Sequence, residues 1–185
     1  MQNHIGTFTF VILWTFATMI GNMFGLLVGT VIGLPLGNLS NAVGLMVVGA
    51  MIGASIGFGQ WLVLRSHAGW ARGWTLVSTL GGLGGFLLGF MLAPAGWMGG
   101  GVHGLVLGGG LGIAQWVMLR RVEPRAIWWI VVSSVSYGIA WGSGVGVLAA
   151  GVYGISTGLL LAWFIRSMGS EAAHTSAPGS SRSSW

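Results

Sequence analysis

Residues 49–65 read GAMIGASIGFGQWLVLR, and residues 104–120 read GLVLGGGLGIAQWVMLR. The two runs share glycines at Gly49 and Gly104, Gly53 and Gly108, and Gly57 and Gly112, and both end in Gln-Trp-x-x-Leu-Arg. Glycine at every fourth residue forms one stripe on one face of a helix. In water such a helix is poor, since each interior glycine costs about 1 kcal/mol against alanine. In lipid the stripe lets two backbones approach closely, and that packing drives helix association. The pair of runs therefore predicts helices in a membrane and a unit used more than once.

The same ladder extends along most of the chain. It takes in Gly21, Gly25, Gly29, Gly33 and Gly37, then Gly81, Gly85 and Gly89, then Gly138, Gly142 and Gly146, then Gly154 and Gly158. Gly25, Gly29, Gly53, Gly57, Gly85, Gly89, Gly108, Gly112, Gly142 and Gly158 are the expected helix-packing positions.

Composition agrees. Charged residues make up 5% of the 185, hydrophobic ones 54%, and the mean hydropathy is +0.86. A soluble domain carries about 25% charged residues, so this chain cannot cover a water-facing surface. It has no Cys, which removes disulfides and thiolate metal sites. It has no Lys or Asp; seven arginines against Glu123 and Glu171 give the net charge of +5. The arginines flank apolar segments, a topology signal rather than a nucleic-acid surface. The first segment lacks a basic leader and a small-x-small cleavage site and reads as retained.

A helix needs about 20 mostly apolar residues to cross the hydrocarbon core. Six segments qualify: 8–34, 42–64, 74–93, 99–119, 126–149 and 152–165, with the last two separated only at Gly151. Arg65, His67 and Arg72 follow the second segment, Arg120, Arg121, Glu123 and Arg125 the fourth, and Arg166 the sixth. The alternate loops carry no charge. The positive-inside rule then places the arginines and both termini in the cytoplasm. The sequon at Asn38 falls on the opposite side, in a loop too short for a glycan. Residues 169–185, rich in Ser, Ala, Gly and Pro, read as a disordered cytoplasmic tail.

The 55-residue offset between the two quoted runs defines a helical hairpin entered at a Trp and left at an Arg. Trp14 precedes Gly29 by the interval at which Trp74 precedes Gly89 and Trp129 precedes Gly144. A weaker third copy ends at Arg166, with Leu161 and Ala162 in place of Gln and Trp. The expected fold is an all-α, polytopic membrane six-helix bundle. It consists of three parallel helical-hairpin repeats (about 8–66, 70–121 and 124–167) within a transmembrane domain at 1–168, packed through glycine ladders.

The repeated Gln-Trp-x-x-Leu-Arg ending followed by a Trp-led helix resembles that of uncharacterised bacterial multi-pass membrane proteins, over roughly 57–144. That resemblance implies a bacterial cytoplasmic (inner) membrane and no known activity. The signature of mitochondrial carriers is absent, and the likeness to glycine-laddered translocase subunits is one of architecture only.

Polar residues within spans are functional candidates by default. Asn22, His103, Gln60 and Gln115 are the candidates for lining a pore or touching a ligand; the competing reading is hydrogen bonding between helices. His103 lies among glycines, so single-ligand pigment binding there is an alternative to a structural role. No cofactor or metal is otherwise expected. Arg65, Arg120 and Arg166, with Trp61 and Trp116, are candidates for lipid-headgroup or partner contact; the competing reading is a snorkelling arginine stacked on its indole within an aromatic belt. That belt also takes in Trp14, Trp74 and Trp129, while Trp141 reads as mid-span. No acid or Lys lies within a span, so neither a proton relay nor a catalytic triad has its parts. The expected function is a non-enzymatic structural or accessory subunit of a membrane complex. A passive channel for a small solute, or a lipid-handling protein, is the alternative. Partners would be the bilayer, anionic lipids, and other membrane subunits or further copies of the chain; nucleic acid is not among them.

Overall fold

The computed structural model describes residues 6–38, 40–66, 68–93, 97–144 and 146–175, with the backbone alone described at 97–98, 146–149 and 168–175. Six helices account for nearly all of it: α1 Thr7–Gly37, α2 Asn41–Leu64, α3 Trp74–Leu92, α4 Trp97–Leu119, α5 Ile127–Gly142 and α6 Gly146–Thr175. Single 3-10 turns at Gly69–Ala71 and Pro124–Ala126 lead into α3 and α5. There is no strand among the described residues.

Each helix packs antiparallel against its neighbours in the chain, and α6 returns to α1, so the six close into a ring. Glycines set the spacing of that ring. A Cβ at Gly25 would stand 2.5 Å from the Met51 carbonyl oxygen, and one at Gly29 would lie 2.9 Å from Val48 Cα. Gly53 and Gly57 face Ser78 of α3, Gly85 and Gly89 face Leu107 and His103 of α4, and Gly108 and Gly112 face Ser133 of α5. Gly158 lies against the Trp14 ring, while Gly142 meets Gly101 more loosely. At most of these positions any side chain would collide with backbone, so helix–helix contact here is backbone on backbone.

Polarity is inverted relative to a protein in water. Phe16, Ile20, Phe24, Leu27 and Val31 of α1 face outward, whereas Thr18 and Asn22 of the same helix are buried. Gln60, Ser78, Gln115, Ser133 and Thr157 are fully buried as well. Four helices, α1 to α4, are long and apolar enough to cross a membrane.

The structure moves two boundaries. α5 ends at Gly142 and α6 begins at Gly146, so the break does not fall at Gly151, which lies within α6 against Met19. The turn uses Gly144 at φ +72°, a left-handed conformation that glycine adopts without strain. α5 consequently has 16 residues, about 24 Å at helical rise, and Trp141 sits at its end rather than mid-span. The run through 126–165 hides this break, because no charged residue and no proline interrupts it. Second, α6 continues to Thr175, so residues 169–175 of the expected tail are helical. Glu171, Ala172 and Ala173 are good helix formers, and the first proline comes only at Pro178. Residues 176–185 of that tail lie outside the described residues.

Candidate functional site

At the arginine end of the ring the odd-numbered helices each send a tryptophan to the axis. Trp14, Trp74 and Trp129 are fully buried. Their centroids lie 6.2, 6.2 and 6.0 Å apart and the rings meet edge to face, the arrangement that ring quadrupoles favour. The sequence reading placed these three in a headgroup belt; they are core instead. Each lies on the same helical stripe as the packing residues that follow it, as in Trp14, Thr18, Asn22 and Gly25, and that phase was the available signal. Gly73, at φ +121°, turns the chain sharply into α3 immediately before Trp74.

An indole N–H in a dry interior needs an acceptor. Trp74 donates to Gln60 Oε1 at 2.9 Å, and Trp129 donates to Gln115 Oε1 at 2.9 Å. Gln60 Nε2 donates to Thr18 Oγ1 at 3.1 Å. Gln115 Nε2 donates to Ser78 Oγ at 2.9 Å and to Gln60 Oε1 at 3.0 Å, while the Tyr153 hydroxyl donates to Gln115 Oε1 at 3.3 Å. The two glutamines are thus bonded directly to each other.

Trp14 finds its acceptor in Thr157 Oγ1, at 3.0 Å. Thr157 therefore stands where the glutamines stand, one helical turn before the Leu161 that the Arg166 alignment offers. Leu161 instead shares the fully buried layer of Leu64 and Leu119. Thr157 gives its own proton to the Tyr153 carbonyl at 2.7 Å. Its short side chain leaves Ser133 Oγ without the amide donor that Ser78 receives, and Ser133 Oγ is buried beside the Tyr153 side chain.

Deeper in the bundle Tyr137 donates to Asn22 Oδ1 at 3.0 Å, joining α5 to α1 across the ring. His103 is 6% exposed and hydrogen-bonded to the Gly89 backbone. Phe86 meets it at 4.7 Å and Trp141 at 4.9 Å. A macrocycle on Nε2 would have to displace Phe86 or Trp141 from the imidazole ring. Nε2 is buried with no partner among the described residues. His103→Leu is accordingly expected to change unfolding free energy in detergent by no more than about 1 kcal/mol, the lost Gly89 bond being offset by removal of an orphaned nitrogen. A loss above about 3 kcal/mol would mean that this nitrogen has a partner.

The arginine rim keeps the stacking expected of it. Arg65 lies 5.7 Å from the Trp61 ring and Arg120 lies 4.8 Å from the Trp116 ring. Arg166 reaches the Thr7 hydroxyl. A third pair, Arg125 over Trp163 at 5.8 Å, joins residues too far apart in sequence to have been matched by spacing. Glu123 is buried; it accepts from the Arg125 amide at 2.9 Å and from Ser167 Oγ at 3.2 Å, which ties the α4–α5 connection to α6. His67 lies outside the described residues.

Concavities lie along the seams between neighbouring helices. One of 760 Å³ runs between α1 and α2. Others of 530 and 430 Å³ lie along the α3–α4 and α4–α5 seams. One of 340 Å³ sits at the far ends of α1 and α2, beside Asn38 and Asn41. Among the described residues no three His, Asp or Glu come together as a metal site. Comparison of the chain with protein-family models, with curated proteins and with solved structures finds no match.

Proposed function

We propose that the protein is a non-enzymatic integral membrane protein, a structural or accessory subunit of a membrane complex. On this reading it lies in a bacterial inner membrane with its arginines and both termini in the cytoplasm, and its ring consists of three parallel hairpins descended from one unit. The carrying observation is the Gln60–Gln115 network: the interior polar groups bond one another and the tryptophans rather than facing a cavity. Chemistry needs reactive groups with access, and the two interior atoms without a hydrogen-bond partner among the described residues, His103 Nε2 and Ser133 Oγ, are both buried. What remains for interaction is the outer face, with its glycine-lined seams and aromatic rim. The recurring Trp-to-acceptor contacts support the hairpin repeat, with Thr157 as the altered third member.

Affinity purification of the full chain in mild detergent from its native host tests the reading. Other membrane subunits are expected at fixed stoichiometry. A chain that purifies alone, and that conducts a small neutral solute in proteoliposomes in a manner abolished by Asn22→Leu, would replace the accessory role with that of a passive facilitator.

A further inference from the structure

The groove between α1 and α2 is lined by apolar side chains, and exposed arginines lie close in sequence to one end of it. Its walls are Leu13, Phe16, Ile20 and Phe24 of α1 with Ala54 and Phe58 of α2 among others, nearly all apolar. Along α1 it runs from residue 13 to residue 24, about 16 Å at helical rise. One leaflet of a bilayer core is about 15 Å thick. The groove is thus about as long as one leaflet is thick, and Leu62, Val63 and Thr75 line it at the end nearer Arg65 in sequence. Arg65 follows Val63 at the end of α2 and Arg72 precedes Thr75 ahead of α3; both are exposed. The chain carries an excess of positive charge, seven arginines against Glu123 and Glu171, and Glu123 is bonded to the Arg125 amide and Ser167. Arg65 is held at the rim by its stack on Trp61, which keeps the guanidinium edge available to a phosphate.

We propose that this groove is an anionic-phospholipid site, with one acyl chain along the α1–α2 seam and the phosphate met by Arg65 and Arg72. The site rests on the membrane-embedded reading of the chain and adds a specific ligand to it. An acyl chain needs no hydrogen bonds, which suits walls that offer almost none. The headgroup supplies the charge that the rim lacks, and each arginine near the surface adds to the attraction for anionic lipid.

Native mass spectrometry of the detergent-solubilised full chain tests the site, with phosphatidylglycerol and phosphatidylcholine of identical acyl chains as the probes. One phosphatidylglycerol is expected to be retained in preference to phosphatidylcholine. R65Q/R72Q should weaken phosphatidylglycerol binding about thirtyfold, as the product of about five- to sixfold for each arginine. R65K/R72K should keep most of the preference, and Ala54→Phe, which fills the groove, should weaken both lipids alike. Raising the salt on the unmutated chain should erode the preference without any substitution. Near-UV circular dichroism of the tryptophan core reports whether each variant is folded. Equal retention of the two lipids, a preference indifferent to both R65Q/R72Q and salt, or a dimer of the chain that Ala54→Phe disperses would each overturn the proposal. If the lipid preference fails while the chain still requires detergent and brings its subunits along, the accessory reading survives the loss of the site. If the preference holds and no subunit co-purifies, the accessory reading fails alone.

Discussion

Gly53→Leu is expected to cost at least about 3 kcal/mol of unfolding free energy in detergent, or to prevent the ring from closing at all. A Cβ at Gly53 would run into the Ser78 carbonyl oxygen and lie 2.8 Å from its carbon and 3.0 Å from Thr79 Cα. These are backbone atoms of α3, so no rotamer change relieves the clash; the helices must separate. Gly49 and Gly57 pack the same seam, against Phe86 Cβ at 2.5 Å and Ser78 Cβ at 2.6 Å. Separation there would therefore be felt along the whole α2–α3 seam. It would also move Trp74 away from Gln60 Oε1, now 2.9 Å distant, and Ser78 away from Gln115. Gly84 is the control. It lines the outer groove of α3 and α4, a Cβ there would meet nothing within 4 Å, and Gly84→Ala should be neutral or stabilise by about 1 kcal/mol through helix propensity. Reversible unfolding of the two variants in mixed micelles measures the contrast. Similar stability of both would mean that the glycine seams are not the determinant of helix approach.

Much of this architecture is legible in the sequence, for a physical reason: glycine spacing and hydropathy are local properties, and both survive without knowledge of the partner helix. The two glutamines likewise declare themselves by depth, since an amide in hydrocarbon must find a partner. Three features did not come through. The burial of Trp14, Trp74 and Trp129 was masked because an indole near a membrane interface is also what an aromatic belt looks like; depth is ambiguous, and only the helical phase relative to the glycines separates the two. The end of α5 at Gly142 was hidden by a requirement for spans of about 20 residues, which a 16-residue α5 violates. The role of Thr157 was obscured by Arg166. A long snorkelling side chain reaches the interface from more than one helical turn, so an arginine marks depth loosely. The acceptor of an indole proton is fixed to within a few tenths of an ångström, and by that stricter criterion Thr157 serves Trp14 as Gln60 and Gln115 serve Trp74 and Trp129.

The second large effect is expected from Gln115→Leu, and it should exceed those of Gln60→Leu and Thr157→Val in that order. Gln115 takes part in four side-chain hydrogen bonds, with Gln60, Ser78, Trp129 and Tyr153. Gln60 takes part in three, with Thr18, Trp74 and Gln115. Thr157 accepts only the Trp14 proton from another helix. Leucine is close to glutamine in volume, so the packing of the tryptophan triad is largely kept and the loss reports on polarity. Each buried group left unpaired costs about 1–3 kcal/mol in a dry interior, and bonds between membrane helices measure nearer 0.6 kcal/mol on average. Gln115→Leu should therefore cost about 3–5 kcal/mol, Gln60→Leu somewhat less, and Thr157→Val about 1 kcal/mol. The double variant Gln60→Leu/Gln115→Leu should cost less than the sum of the singles, because the bond between the two amides is lost in each single variant and counted twice. Full additivity in that cycle would mean that the two glutamines act independently, and the joined network would lose its standing as the clamp that holds the hairpins to one another.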